Sequence, residues 1–160
     1  MVGGGEGAFI GDVHRKSAEF DSKSVLSAGA FSRDFENTKA TGRQLRVPED
    51  RLYRDYIEMA EQESRRDDGI DYVVIVTPNH LHYDVSKAFL NNGIHVVCDK
   101  PLTFEVSEAE DLARIAEEKD LLYCVTYGNP GYPLVKQARQ MVRSGEIGEV
   151  RMIMAEYPQP

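Results

Sequence analysis

The sequence predicts an α/β fold, a Rossmann-like doubly wound parallel sheet, from three observations. The short β-branched runs Tyr72–Val76 and His95–Cys98 are apolar without alternation, which is typical of strands buried on both faces of a parallel sheet. Polar, helix-forming stretches separate these runs, as the crossover connections between parallel strands require. A glycine cluster over residues 3–11 is the third observation, because a glycine-rich turn lets the backbone approach a phosphate group.

The predicted strands and helices alternate along the chain. We expect a helix after the glycine cluster, then a strand over residues 25–31 and a helix over about 34–45. Asp55 followed by Glu58, and Ser107 followed by Glu110, have the spacing of capping boxes and predict two further helix starts. The other expected elements are the strand Tyr72–Val76, a helix over about 84–91, the strand His95–Cys98, a strand over 122–126, a helix over 133–143 and a strand over 150–156. We expect the strands over 25–31, 72–76, 95–98 and 122–126 to be adjacent, parallel and buried.

The domain organisation is expected to be one nucleotide-binding domain over residues 1–149. Only Met1 and Val2 precede the glycines, so its first strand is predicted to be shorter than the usual ~5–6 residues.

Composition and charge exclude several classes of protein. The net charge is −8, from 19 basic and 27 acidic residues without a basic tract, which argues against binding to nucleic acid or to an anionic membrane surface. No apolar run approaches the ~18 residues of a membrane span, and a cytoplasmic location is expected. No metal site is predicted, because the four histidines are scattered and no Cys-x-x-Cys pair is present. Cys98 and Cys124 lie in apolar runs, and we expect both to be buried.

The glycine cluster is the first candidate cofactor-binding element. Gly3 and Gly5 supply the first two positions of a Gly-x-Gly turn, and the third small position is either Ala8 or Gly11. We favour Gly11, because the residues around it then open the following helix. The alternative is a flexible chain start without a ligand.

The residues that follow the 25–31 run bear on cofactor preference. An acidic residue at this point of a Rossmann fold binds the ribose hydroxyls of NAD, whereas an arginine accommodates the 2′-phosphate of NADP. Ser32 stands where the acid is expected, Arg33 is placed to reach a phosphate, and Asp34 keeps NAD open. Both cofactors therefore stay candidates, and the competing interpretation is that Arg33 is a solvated loop charge.

Two polar turns follow the next two strands. Thr77, Pro78, Asn79 and His82 come after Tyr72–Val76, and we expect them to contact the nicotinamide riboside. The alternative is that they form an ordinary surface turn.

Asp99 and Lys100 come after His95–Cys98. The ring of Pro101 disfavours helical geometry at Lys100 and holds it extended at the carboxyl end of the strand, the edge where α/β sheets bind ligands. We therefore expect Asp99 and Lys100 at the cofactor, with Lys100 as the catalytic residue. The alternative is that Lys100 is a surface charge paired with Asp99.

The Gly-x-Gly start, residues 77–82 and residues 93–102 together resemble the Gfo/Idh/MocA family of glucose–fructose oxidoreductase and inositol dehydrogenase relatives. The resemblance covers nearly the whole chain. The family usually has Glu-Lys-Pro where this sequence has Asp99, Lys100 and Pro101, which keeps a carboxylate beside the lysine.

The resemblance implies hydride transfer between NAD or NADP and a hydroxyl carbon of a sugar, inositol or related polyol. It implies that residues 150–160 are the start of a C-terminal α+β domain, the substrate domain, the rest of which is absent from this chain. It also implies that Lys100 orients substrate and cofactor, that an Asp and a His of that second domain handle the substrate proton, and that the intact protein is a homo-oligomer. A competing hypothesis is a nucleotide-binding or interaction module without catalysis of its own.

Overall fold

The structure is a computed structural model in which residues 1–158 are described. It divides into two units, Met1–Thr126 and Tyr127–Pro160. The expected domain boundary after residue 149 stays a prediction. Within the described residues, no helix is both long and apolar enough to cross a membrane.

The first unit contains a sheet of four parallel strands. In spatial order these are β1 (Val2–Gly3), β2 (Tyr72–Val76), β3 (His95–Cys98) and β4 (Tyr123–Val125). Each strand pairs in parallel with the next one in the list. The predicted parallel α/β fold is therefore confirmed.

The strand order reverses direction at β1. On the side away from β2, Val2 bridges Ala30, and Gly29 bridges Leu52. The chain thus moves outward from β1 in one direction as far as Leu52, then crosses to β2 and proceeds in the other direction. Such a reversal leaves a crevice beyond the carboxyl ends of the strands, where open α/β sheets bind their ligands.

Helices cover both faces of the sheet. They are α1 (Phe9–Glu19), α2 (Phe35–Leu45), α3 (Tyr56–Glu63), α4 (His82–Asn91) and α5 (Val106–Glu118). Val73 and Ile75 of β2 share a buried cluster with Phe89 of α4. Val76, which points to the opposite face, belongs to a second cluster that includes Ile10 of α1. Burial on both faces explains why the sequence of β2 is continuously apolar.

Helix starts follow local capping chemistry. The Asp55 carboxylate accepts a hydrogen bond from the Glu58 N–H at 2.8 Å, at the predicted start of α3. The predicted start of α5 at Ser107 is wrong by two residues. Glu105, in an extended conformation, forms the capping box with Glu108, so the helix begins at Val106.

The predicted strand over residues 25–31 is wrong in its length and in its neighbour. Only Gly29 and Ala30 make bridges, and Val25 is 82% exposed. The reason is that a strand needs a partner for each backbone group. β1 is only two residues long, and the hydrogen bonds of Gly3 and of the preceding Met1 reach Ala30 and Ala28 and no further back. β1 also lies between this segment and β2, so the two are not adjacent.

The predicted strand over residues 122–126 is present as β4, but it is not buried. β4 is the edge strand of the sheet, and the side chains of Leu122 and Cys124 are exposed. The expectation that both cysteines are buried therefore holds for Cys98 alone. Burial raises the pKa of the Cys98 thiol to about 11, which keeps it protonated and unreactive.

The second unit contains one α-helix, α6 (Pro133–Ser144), among its described residues. Gly145, with φ of 74°, ends it close to the predicted position. The expected strand over residues 150–156 is wrong, because nothing in the described structure pairs with this segment. Its apolar side chains Met152, Ile153 and Met154 are exposed.

The amino terminus lies inside the first unit. The Met1 ammonium donates a hydrogen bond to the Ala28 carbonyl at 2.8 Å. A cavity of about 180 Å³ adjoins it, between residues 24–28 and residues 69–72. Burial lowers the pKa of this ammonium from 8.0 to about 5.

Candidate nucleotide-binding site

A cavity of about 560 Å³ lies at the carboxyl ends of β1 and β2, at the reversal point of the sheet. Three segments supply most of its wall: residues 3–6 after β1, residues 30–33, and residues 76–78 after β2. Six of the predicted site residues are among its lining residues, namely Gly3, Gly5, Ser32, Arg33, Thr77 and Pro78.

The glycine loop is shaped by two close approaches that no side chain would permit. Gly3 has φ of +82°, and a Cβ there would lie 2.8 Å from the Val76 carbonyl oxygen. A Cβ on Gly11 would lie 2.6 Å from the Cα of Gly4. Gly11 therefore packs α1 against the loop from behind rather than lining the cavity. This is the close helix–loop packing expected of the third glycine.

The start of α1 offers unpaired backbone donors beside the cavity. Its N-cap residue, Ala8, has no side chain that could cap the helix, so the N–H groups of the first turn lack a side-chain acceptor. Such a helix start is suited to a phosphate group.

Two side chains of α2 hold the loop in place. The Glu6 N–H donates to Asn37 Oδ1 at 3.1 Å and to Thr41 Oγ1 at 3.0 Å. Sequence reasoning missed both residues, because they lie in a polar helical stretch without a motif.

Two arginines line the cavity, one directly after the 25–31 segment and one from a later segment, whereas the carboxylate of Asp34 is engaged elsewhere. Asp34 caps α2 by accepting the Glu36 N–H at 3.0 Å, and it does not line the cavity. Arg33 and Arg54 do line it. The Arg54 guanidinium lies 4.5 Å from the centroid of the Phe35 ring. Arg54 was also missed, since the sequence around it shows no signal for this place in the fold.

Thr77 has the one buried side-chain oxygen or nitrogen without a hydrogen-bond partner in the described part of the chain. The residue lies at the cavity wall directly after β2. A buried hydroxyl without a partner is unfavourable in the protein alone, and a polar ligand group in the cavity would satisfy it. This hydroxyl, the glycine cradle and the uncapped helix start together fit a dinucleotide.

His82 occupies a different place from the predicted one. It is 1% exposed, and its Nδ1 and Nε2 lie 2.7 Å from the Pro101 oxygen and 3.1 Å from the Thr77 oxygen. The ring thus lies between the turn after β2 and the turn after β3 instead of on the cavity wall. Asn79 is exposed at the start of a 3₁₀ turn and does not line the cavity either.

Asp99 and Lys100 lie at the carboxyl end of β3, outside the cavity wall. Asp99 Oδ1 accepts the Lys100 backbone N–H at 2.8 Å and the Thr126 hydroxyl at 3.1 Å. The same oxygen lies 3.6 Å from Nε2 of His14, a residue that sequence reasoning did not single out. Lys100 is exposed, and within residues 1–158 its ammonium forms no ion pair with Asp99.

No group of three or more His, Cys, Asp or Glu side chains suited to a metal ion occurs in the described part of the chain.

Comparisons with known proteins agree with this geometry. Residues 1–127 match the family described as "Oxidoreductase family, NAD-binding Rossmann fold" (GFO_IDH_MocA). The oxidoreductase YfiI of Bacillus subtilis (strain 168) is 41% identical over 158 residues, which are 98% of this chain and 40% of that protein. The chain therefore spans about two fifths of the length of this relative.

Two solved structures are similar over most of the chain. An oxidoreductase from Pseudomonas syringae is 49% identical with a TM-score of 0.91, covering 94% of this chain and 42% of that one. An inositol dehydrogenase homologue from Azotobacter vinelandii, complexed with NADH and myo-inositol, is 46% identical with a TM-score of 0.92, covering 94% of this chain and 40% of that one. With its reversed sheet order, its glycine cradle and this match over residues 1–127, the chain belongs to the Gfo/Idh/MocA oxidoreductase family and contains that family's NAD-binding Rossmann domain.

Proposed function

We propose that the chain is the nucleotide-binding part of an enzyme that transfers hydride between NAD or NADP and a sugar, inositol or related polyol. The observation that carries the proposal is the cavity at the sheet reversal, with the glycine loop on one wall and the unpaired Thr77 hydroxyl on another. The Azotobacter vinelandii homologue, crystallised with NADH and myo-inositol, supports the substrate class.

Different residues of this chain bind different parts of the dinucleotide. Gly3, Gly5 and the start of α1 receive the pyrophosphate, with Gly11 holding the helix close behind the loop. Ser32 and Arg33 contact the adenosine ribose. Thr77 and Pro78 border the nicotinamide riboside, while His82 contributes by holding the turn that carries Thr77. The cofactor, when bound, supplies hydride acceptance and donation.

Lys100 is proposed as the residue that contacts the substrate. Its side chain is exposed at the carboxyl end of β3, the ligand edge of the sheet, and no carboxylate of the described residues neutralises it. An ammonium group placed there donates to a substrate hydroxyl and stabilises negative charge on that oxygen as its proton leaves. Asp99 holds the backbone of Lys100 through its N–H.

The cations at the cavity bear on the choice between NAD and NADP. Arg33 and Arg54 are available to a 2′-phosphate, whereas Asp34 is engaged in capping α2. We expect NADPH to bind at least as tightly as NADH. Arg33→Ala should weaken NADPH binding more than NADH binding in calorimetric titrations of the two variants.

The competing hypothesis is a nucleotide-binding or interaction module without catalysis. It stays open because the chain spans about 40% of the length of its relative YfiI. The two hypotheses differ in what happens when the chain is joined to the remaining three fifths of such a relative. The enzyme hypothesis expects polyol-dependent NAD(P)H formation from the joined protein, and the module hypothesis expects none.

The test begins with titration of the 160-residue chain with NADH and NADPH. We expect binding in the wild type, and its loss in Gly11→Ala, because the added Cβ collides with Gly4. Gly131→Ala is the matched control, since a Cβ there meets no atom within 4 Å. The chain by itself is expected to form no NAD(P)H from myo-inositol above background. Absence of nucleotide binding by the wild type would refute the proposal.

A further inference from the structure

We propose that His14 is a positioning residue that fixes the Lys100 backbone through the carboxylate of Asp99. The inference rests on the proposed function only in that Lys100 is taken as the substrate-binding residue. The contacts of His14 and Asp99 are independent of that function. His14 lies on α1, the helix that follows the glycine loop, and Asp99 lies at the end of β3. Their side chains meet at 3.6 Å between Nε2 and Oδ1, and are only 11% and 15% exposed.

Asp99 is the point where three segments are joined. Its Oδ1 accepts the N–H of Lys100 and the hydroxyl of Thr126 after β4, and its own N–H donates to the Ile75 carbonyl of β2 at 2.9 Å. The orientation of the Asp99 carboxylate therefore sets the position of the Lys100 backbone N–H. Of the three groups around Oδ1, the His14 ring is the one supplied by a helix.

The same helix contacts the glycine loop. The guanidinium of Arg15, the next residue, donates to the Gly4 carbonyl at 2.9 Å, and Gly11 packs against Gly4. The first two turns of α1 thus touch both the predicted phosphate site and the support of Lys100. Through this arrangement, the position of the proposed substrate-binding lysine is set relative to the loop that holds the nucleotide.

The presence of aspartate rather than glutamate at position 99 agrees with this arrangement. The short side chain lets one carboxylate oxygen reach the N–H of the next residue while it also meets His14. A glutamate carboxylate lies one methylene further from the backbone, so the same contact with the adjacent N–H would close a larger and less constrained ring.

The test measures backbone order at Lys100 by ¹⁵N relaxation in the 160-residue chain, without nucleotide. In the wild type we expect the rigid-backbone value, an order parameter of ~0.85. In His14→Leu, which removes the ring nitrogen, it should fall below ~0.6 at Lys100. Val96 in the middle of β3 should be unchanged in the same spectra. If His14 had a purely structural role, its substitution would change the order parameters of both Lys100 and Val96, or of neither.

Three further variants keep the proposal falsifiable. His14→Gln places an amide nitrogen at the same reach from the Asp99 carboxylate and should restore order at Lys100. Lys16→Leu changes an exposed residue of the same helix and should leave Lys100 unaffected. In an Asp99→Ala background, His14→Leu should add no further loss, because its effect passes through the carboxylate.

The outcomes are separable from those of the proposed function. Unchanged order at Lys100 in His14→Leu, or an equal additional loss in the Asp99→Ala background, would overturn the positioning role of His14 even if nucleotide binds. Failure of the wild type to bind NADH would overturn the proposed function and leave the relaxation result intact. If His14→Leu does not fold, His14→Phe takes its place, because it keeps a ring of similar size but has no ring nitrogen. The order parameter of Lys100 in His14→Phe is then compared with that in His14→Gln.

Discussion

The buried amino terminus makes the stability of this chain depend on pH in a way that one modification can isolate. The Met1 ammonium has its pKa lowered from 8.0 to about 5, mainly by burial. The folded state therefore disfavours the charged form, whereas the unfolded chain binds the proton in the ordinary way. Above pH 8 the amine is neutral in both states, and the terminus opposes folding least.

Stability should fall as the pH is lowered from 8 to 5. Over this range the unfolded chain takes up a proton that the folded chain lacks, and below pH 5 both are protonated and the difference is constant. The separation between 8.0 and about 5 corresponds to about 4 kcal/mol at 1.36 kcal/mol for each pKa unit. A protein of this size has ~5–15 kcal/mol of stability, so the effect is large.

Acetylation of the Met1 nitrogen provides the comparison. It removes the charge but keeps one N–H to donate to the Ala28 carbonyl, and the adjoining cavity has room for the added methyl and carbonyl groups. Urea unfolding of the free and acetylated chains, followed by circular dichroism at pH 5, 6, 7 and 8, gives the two stability curves. All histidines and carboxylates are the same in both chains, so their titration cancels in the difference.

As the pH falls from 8 to 5, we expect the free energy of unfolding of the acetylated chain to rise by about 4 kcal/mol relative to that of the free chain. Two parallel curves over this range would refute the reasoning, because they would mean that the Met1 nitrogen titrates alike in the folded and unfolded chains.

Three further predictions concern the core and the site. Glu63→Gln should lower the free energy of unfolding by about 3 kcal/mol, because it leaves the guanidinium of Arg51 buried without its carboxylate; a loss below about 1 kcal/mol in urea unfolding would contradict this. Thr77→Val replaces a buried hydroxyl that has no partner, so stability should stay level or rise by about 1 kcal/mol while NADH affinity falls; equal affinity for NADH in calorimetry would show that Thr77 does not contact the nucleotide. Lys100→Ala, in the chain joined to a second domain, should lower kcat and kcat/KM together by ~10²-fold or more with an unchanged dissociation constant for NAD(P)H. Unchanged turnover would exclude Lys100 from the chemistry.

The sequence by itself determined the fold class and which segments lie at the candidate site. Continuous apolar runs predicted the central strands β2 and β3, and the residues directly after them had to lie at one edge of a parallel sheet. That is why Thr77 and Lys100 could be placed without coordinates. The cap at Asp55 was predicted correctly because a cap is decided by residues within one turn of the helix, and Asp34, which was assigned to the cofactor, caps α2 by the same local chemistry.

Only the tertiary structure decided which segments pair and which side chains are buried. The runs at residues 25–31 and 150–156 have the composition of strands, yet the first pairs only where β1 extends beside it and the second has no partner in the described chain. His82 looked like an exposed turn residue and is enclosed between two turns, while His14 carried no signal and meets Asp99. Composition and hydrophobic periodicity are local properties of the sequence. Pairing and burial depend instead on residues that the fold brings together from distant parts of the chain, as in the contact between His14 and Asp99.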